Sequence, residues 1–139
     1  NADLTLRRVP DGMPDDVALF AGDVMGTGFH AVESAGVEAG DTVAVLGLGP
    51  VGLCAVQVAR ARGAAHVVAV DSVPERLELA RAFGATPVHL TEEDPRAAVK
   101  AVTEGRGADL VVDAVGHPDV FDSACRLARR AMYSSPSTR

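Results

Sequence analysis

Thr42 to Asp71 reads TVAVLGLGPVGLCAVQVARARGAAHVVAVD. Its first five residues, Thr42-Val43-Ala44-Val45-Leu46, form an apolar, β-branched run suited to a strand buried on both faces. The turn Gly47-Leu48-Gly49-Pro50-Val51-Gly52 follows at once. From Val51 to Arg62 the composition changes to Ala, Val, Leu and Gln and closes on Gly63, the pattern of a helix with a C-terminal glycine. His66 to Val70 then read as a second buried strand, ending on Asp71.

A Gly-x-Gly-x-x-Gly turn is a weak signal alone. Here it stands between a strand and a helix, in a unit of about thirty residues closed by an acidic side chain, the context that binds a dinucleotide. Gly47 permits the tight turn, Gly49 lets a pyrophosphate approach the backbone, and Gly52 lets the helix pack close to the sheet. The helix N-terminus offers unpaired N–H groups and the positive end of its dipole. Pro50 lacks an N–H, which leaves the amides of Val51 and Gly52 as the expected phosphate donors. Asp71 is placed to accept from the adenosine ribose hydroxyls and to repel a 2′-phosphate, favouring NAD over NADP. The competing role for Asp71 is helix capping. Ser72 and Glu75 have capping-box spacing around Pro74, so Ser72 is expected to cap the next helix and leave Asp71 for the ribose.

Outward from this unit, Thr86–Leu90 and Ala108–Val115 read as third and fourth strands, separated by a polar helix from Pro95 to about Glu104. Pro74–Phe83 is an amphipathic helix, and a further helix is expected from about Pro118 to Arg130. Strands alternating with helices predict an α/β fold, a doubly wound parallel sheet of Rossmann type with order 3-2-1-4, lacking its last strands. Gly47–Gly52, Asp71 and the segment Ala114–Gly116 all fall at the carboxyl edge, where such sheets bind ligands. Upstream, Val17–Phe20 and Thr27–Ala35 have helical character, interrupted between Ala21 and Gly26. The expected organisation is a lead-in over residues 1–41, a nucleotide-binding domain over 42–130 and an irregular, Ser-rich tail over 131–139. Without a fifth strand the outer edge of the fourth would be uncovered and prone to pairing or aggregation.

At 139 residues and 47% hydrophobic content, the chain is long enough to bury a core. A net charge of −6, with no basic cluster beyond Arg129-Arg130, argues against nucleic acid. The apolar runs fall far short of a membrane span, and no secretory pattern opens the chain. Cys54 and Cys125 are no disulfide framework; both are expected in the core, and a cytoplasmic setting is the default. The start on Asn1 leads to the expectation of a fragment or processed product.

The stretches GDVMGTGFHAVESAGVEAGDTVAVLGLGPVGLCAVQVARARGA, from Gly22, and VVAVDSVPERLELARAFGAT, from Val67, together resemble the cofactor-binding domain of zinc-dependent medium-chain alcohol dehydrogenases. ADLVVDAVGHPDVFDSA adds to the likeness, which runs from about Leu4 to Arg130 and is nearest to secondary-alcohol, polyol and formaldehyde-type members. The resemblance implies that Asp23, four residues before Thr27, is a ligand of the catalytic Zn²⁺; on its own residues Asp23 reads instead as a helix breaker or as the cap of the helix beginning near Gly26. It implies that Thr27 meets the nicotinamide ring, that Arg76 reaches the adenosine ribose, and that Val115 and His117 flank the adenine. The bland readings are a capping hydroxyl for Thr27, a Glu75 or Glu78 partner for Arg76 and a solvated helix cap for His117. The implied cofactor set is Thr27, Gly47, Gly49, Pro50, Val51, Gly52, Asp71, Ser72, Arg76, Val115 and Gly116. His30 is expected to be structural.

The remaining zinc ligands and the proton relay of that family lie in a domain that precedes this segment. The isolated chain is therefore expected to bind NAD weakly and to catalyse nothing, while the parent would be a homo-oligomer that oxidises a small alcohol with NAD⁺ and zinc. Two alternatives stand beside this reading, one close to it and one of another class. A zinc-independent quinone-reductase relative would lack the acid at position 23, and a non-catalytic NAD-sensing module leaves Gly22–His30 unexplained.

Overall fold

The computed structural model describes residues 6–129. Its elements are α1 (Asp15–Ala21), α2 (Val24–Ser34), β1 (Thr42–Leu46), α3 (Pro50–Ala61), β2 (His66–Asp71), α4 (Pro74–Ala82), β3 (Thr86–His89), α5 (Pro95–Val102), β4 (Leu110–Asp113) and α6 (Pro118–Leu127). The strands form one parallel sheet in the order β3-β2-β1-β4. Leu46 pairs with Val70 on one side and with Asp113 on the other, so the carboxyl ends of β2 and β4 flank the exit of β1.

Strand alternation divides the core into two layers. Val43 and Val45 of β1, with Val67 and Ala69 of β2, meet Val32 of α2, Val56 and Ala59 of α3, and Leu77 and Ala80 of α4. Ala44 and Leu46, with Val68, Val70 and Val88, meet Val99 of α5 and Ala124 and Leu127 of α6. All five residues of β1 are buried, as expected of a central strand covered on both faces. The amino end of the sheet is held by Asp109, whose carboxylate accepts from Thr42 N at 2.9 Å and pairs with Arg129 at 3.0 Å. Among the described residues β4 pairs only with β1.

Several boundaries differ from the sequence reading. Helix α2 starts at Val24, not Thr27, because the Thr27 amide bonds to the Asp23 carbonyl at 2.7 Å and carries Val24–Gly26 into the first turn. β4 ends at Asp113, not Val115, for a reason given below. α6 ends at Leu127, not Arg130: Ala128 is extended and bridges Ala108, with Arg129 N donating to Ala108 O at 2.8 Å. Cys54 is buried but Cys125 is exposed, on the outer side of α6 away from the core-facing Ala124 and Leu127. The tail 131–139 lies outside the described residues. No described helix is long and apolar enough to cross a membrane.

Candidate functional site

The turn between β1 and α3 is shaped by three glycines in three different ways. Gly47 has φ +85°, a left-handed conformation that suits glycine, and its amide bonds to Val70 O at 2.9 Å. A Cβ on Gly52 would overlap the Gly47 carbonyl oxygen, so the first turn of α3 lies directly on the loop. A Cβ on Gly49 would meet nothing within 4 Å, and Gly49 occupies the N-cap of α3 with no side chain closing the helix end. The result is an open cradle facing the amino end of a twelve-residue helix, the setting that receives an anion. Pro50 opens the helix, followed by Val51 and Gly52 in its first turn.

Asp71 borders this cradle from the end of β2. Its carboxylate is almost fully buried and holds four donors: Leu48 N to Oδ2 at 2.6 Å, Ser72 N and Val73 N to Oδ1 at 2.7 and 2.9 Å, and the Arg76 guanidinium to Oδ2 at 3.5 Å. Burial by itself pushes the carboxyl pKa up. The amides of Leu48, Val73 and Ser72 together with Arg76 outweigh that and hold it below the ordinary carboxylate value. Ser72 does not cap the following helix, contrary to the sequence reading. Val73 is the N-cap and makes no side-chain capping bond, and it is Asp71 Oδ1 that accepts the amides of the entering turn. Arg76 pairs with Asp71 and not with Glu75 or Glu78, since Glu78 is taken by Arg81.

The opposite wall comes from the end of β4. Ala114 N donates to Leu46 O at 2.9 Å, and the backbone then leaves the sheet because Asp113 Oδ1 accepts Val115 N at 2.9 Å and Gly116 N at 3.1 Å. Val115 reaches across to Gly47, where an added Cβ would collide with its Cγ2. It is nevertheless 54% exposed, leaving an apolar surface open beside the cradle. Gly116 has φ +76°. His117 is the N-cap of α6, its Nδ1 accepting from Asp119 N at 3.3 Å, which is the capping arrangement.

Helix α2 is brought to the same place by Gly28. A Cβ there would stand 2.8 Å from Cys54 Cβ and 2.9 Å from Ala55 N and Val51 O, so α2 touches the first turns of α3 backbone to backbone. Thr27 directly precedes Gly28 at this contact. Its hydroxyl does not cap a helix; it donates to Asp23 Oδ1 at 3.0 Å. Asp23 occupies the N-cap position of α2, but its side chain makes no capping bond. Behind this contact, Arg62 of the α3 end pairs with Glu33 and stacks 5.7 Å above the Phe29 ring. His30 is partnered by Ser34. Burial pushes the Cys54 thiol pKa up, which leaves it an inert part of the packing.

The residues fit one of the two groups that the resemblance implies. For a dinucleotide there is a cradle that a Cβ would fill, a free helix end and a buried, ionised acceptor at the edge of the next strand. For a metal ion there is Asp23 alone: among the described residues no three of His, Cys, Asp and Glu converge.

Three contributors were not singled out from sequence. Asp113 lies at a strand end and could have been suspected from the Gly116 two residues after its neighbour; Gly28 is hidden within Thr27–His30, where only the α2–α3 contact reveals its use; the Leu48 amide carries no side-chain signal at all.

The family model for zinc-binding dehydrogenase matches residues 50–131. The chain is 39% identical over 130 residues to the NADP-dependent isopropanol dehydrogenase of Thermoanaerobacter brockii, covering 93% of this chain and 37% of that protein. It is 46% identical over 120 residues to an L-threonine 3-dehydrogenase of Bacillus licheniformis, covering 86% of this chain and 34% of the relative. Among solved structures, the alcohol dehydrogenase TADH of Thermus sp. ATN1 superposes with a TM-score of 0.88 at 38% identity, over 92% of this chain and 37% of that one. The chain thus spans somewhat more than a third of the length of these relatives.

Proposed function

The chain belongs to the zinc-binding dehydrogenase family, and from that membership we propose that it is the NAD-binding part of a zinc-dependent alcohol or polyol dehydrogenase. The observation that carries the choice of cofactor is the buried Asp71 carboxylate at the edge of the open Gly49 cradle. When bound, the dinucleotide supplies the two-electron redox chemistry. The chain's own residues hold and orient it. The N–H groups of Val51 and Gly52 face the phosphates, Gly49 gives them room, and Pro50 fixes the helix start. Asp71 accepts the ribose hydroxyls, flanked by Ser72 and Arg76, and its negative charge at this spot disfavours a 2′-phosphate. The NADP in the name of the Thermoanaerobacter relative belongs to that protein. Val115 and Gly116 form the apolar wall opposite, and Thr27 faces the nicotinamide.

Asp23 is the chain's contribution to a metal site completed elsewhere in the whole protein. Its Oδ1 accepts a hydrogen bond from the Thr27 hydroxyl at 3.0 Å, which links the proposed metal ligand to the residue proposed to face the nicotinamide. The chain alone binds dinucleotide and turns nothing over.

The test is made on the full-length protein that contains this chain. Alcohol-dependent NAD⁺ reduction with bound zinc, both lost in Asp23→Ala while NAD⁺ binding is kept, is the expected result. Full activity without zinc would overturn the metal assignment in favour of a quinone-reductase-type relative. Absence of NAD⁺ reduction and of NAD⁺ binding would overturn the whole reading.

A further inference from the structure

We infer that Asp113 is a positioning residue for the cofactor, the counterpart on β4 of Asp71 on β2. The two carboxylates stand on either side of the β1 exit: Leu46 pairs with Asp113 and with Val70, the neighbour of Asp71. Asp71 grips the glycine turn directly through the Leu48 amide at 2.6 Å. Asp113 grips it at one remove. Its Oδ1 accepts the amides of both Val115 and Gly116, which folds the chain out of the sheet and sets Val115 Cγ2 against Gly47. Val115 is packed on one side and open on the other, the form of an apolar wall for a flat ring. A loop of this kind, with φ +76° at Gly116 and no core side chain of its own, is fixed in place by those two hydrogen bonds. Asp113 thus pre-pays the ordering of the wall that the ligand would otherwise have to impose.

The inference rests on the proposed dinucleotide site and makes a distinct claim about it. Asp113 acts through backbone amides, so it has no means of sensing the 2′ position. Both amides go to a single oxygen, and the carbonyl oxygen of an asparagine has two lone pairs to replace it. Calorimetric titration of the 139-residue chain with NAD⁺ and NADP⁺ compares the wild type with Asp113→Ala, Asp113→Asn and Val115→Ala. Asp113→Ala is expected to weaken both cofactors by the same factor, about tenfold, the scale of losing hydrogen bonds to an ionised acceptor. Asp113→Asn is expected to restore binding to within about twofold, since its acceptor oxygen is kept. Val115→Ala, which leaves the loop's hydrogen bonds intact, is expected to weaken both cofactors alike and serves as the test if the alanine variant at 113 does not fold. Wild-type binding with Asp113→Ala and Val115→Ala unchanged would overturn the inference alone, and so would an Asn variant as weak as the Ala variant. A folded wild type that binds neither cofactor would overturn the site and the inference together.

Discussion

The Leu48 amide donates to Oδ2 of Asp71 at 2.6 Å, so the carboxylate proposed to meet the ribose also ties the glycine turn to the end of β2. The two duties can be separated by substitution. Asp71→Ala removes the acceptor for Leu48, Ser72 and Val73 and leaves the buried Leu48 amide without a partner, a loss of about 1–3 kcal/mol in urea unfolding. With the turn released, affinity falls for both NAD⁺ and NADP⁺, and with the charge gone the preference between them narrows as well. Asp71→Asn keeps an acceptor oxygen while removing the charge. It is expected to retain more of the stability and to narrow the NAD⁺ over NADP⁺ preference, read as the ratio of the two dissociation constants.

Acid should act through the same group. The Asp71 carboxyl is held below the ordinary aspartate pKa in the folded chain, so the unfolded chain takes up its proton first as pH falls. The stability this contributes is fully present above the unfolded value of about 3.9 and is lost as pH falls through the lower folded value. The urea midpoint of the wild type is expected to fall more steeply below about pH 4 than that of Asp71→Asn. Equal slopes for the two in that window would show that another carboxylate dominates.

Two glycines of one turn should respond in opposite ways to the same methyl group. A Cβ at Gly52 has no room against the Gly47 carbonyl, and Gly52→Ala is expected to cost about 1–3 kcal/mol, the range of overpacked cores. Gly49 has φ −63° and open space, so Gly49→Ala should fold with stability within about 0.5 kcal/mol of the wild type. Its methyl group enters the space proposed for the pyrophosphate, and NAD⁺ binding is expected to fall by an order of magnitude or more. Thermal melts and titrations of the pair check both halves.

The sheet was legible because its central strands announce themselves: Thr42–Leu46 and His66–Asp71 are short valine-rich runs, the first running straight into Gly47, and helix starts are marked by Pro50, Pro74, Pro95 and Pro118. The glycine turn and Asp71 were legible for the same reason, as local spacing encodes them. What escaped was set by bonds between segments or by competition for one acceptor. Ser72 has the spacing of a cap, yet Asp71, one residue earlier and anchored by Leu48 from another loop, takes the amides instead. Ala114 and Val115 have strand composition, yet Asp113 bends them out of the sheet. Gly28 is an ordinary helical glycine until Cys54 and Ala55 are laid against it.

Titration of this chain with NAD⁺, with Gly49→Ala as the control, tests the dinucleotide site most directly. The account predicts saturable binding in the micromolar to millimolar range, NADP⁺ weaker than NAD⁺, and loss of both in the variant while its melting curve is unchanged. Binding of NAD⁺ by Gly49→Ala equal to that of the wild type would contradict it, as would no binding to a folded wild-type chain.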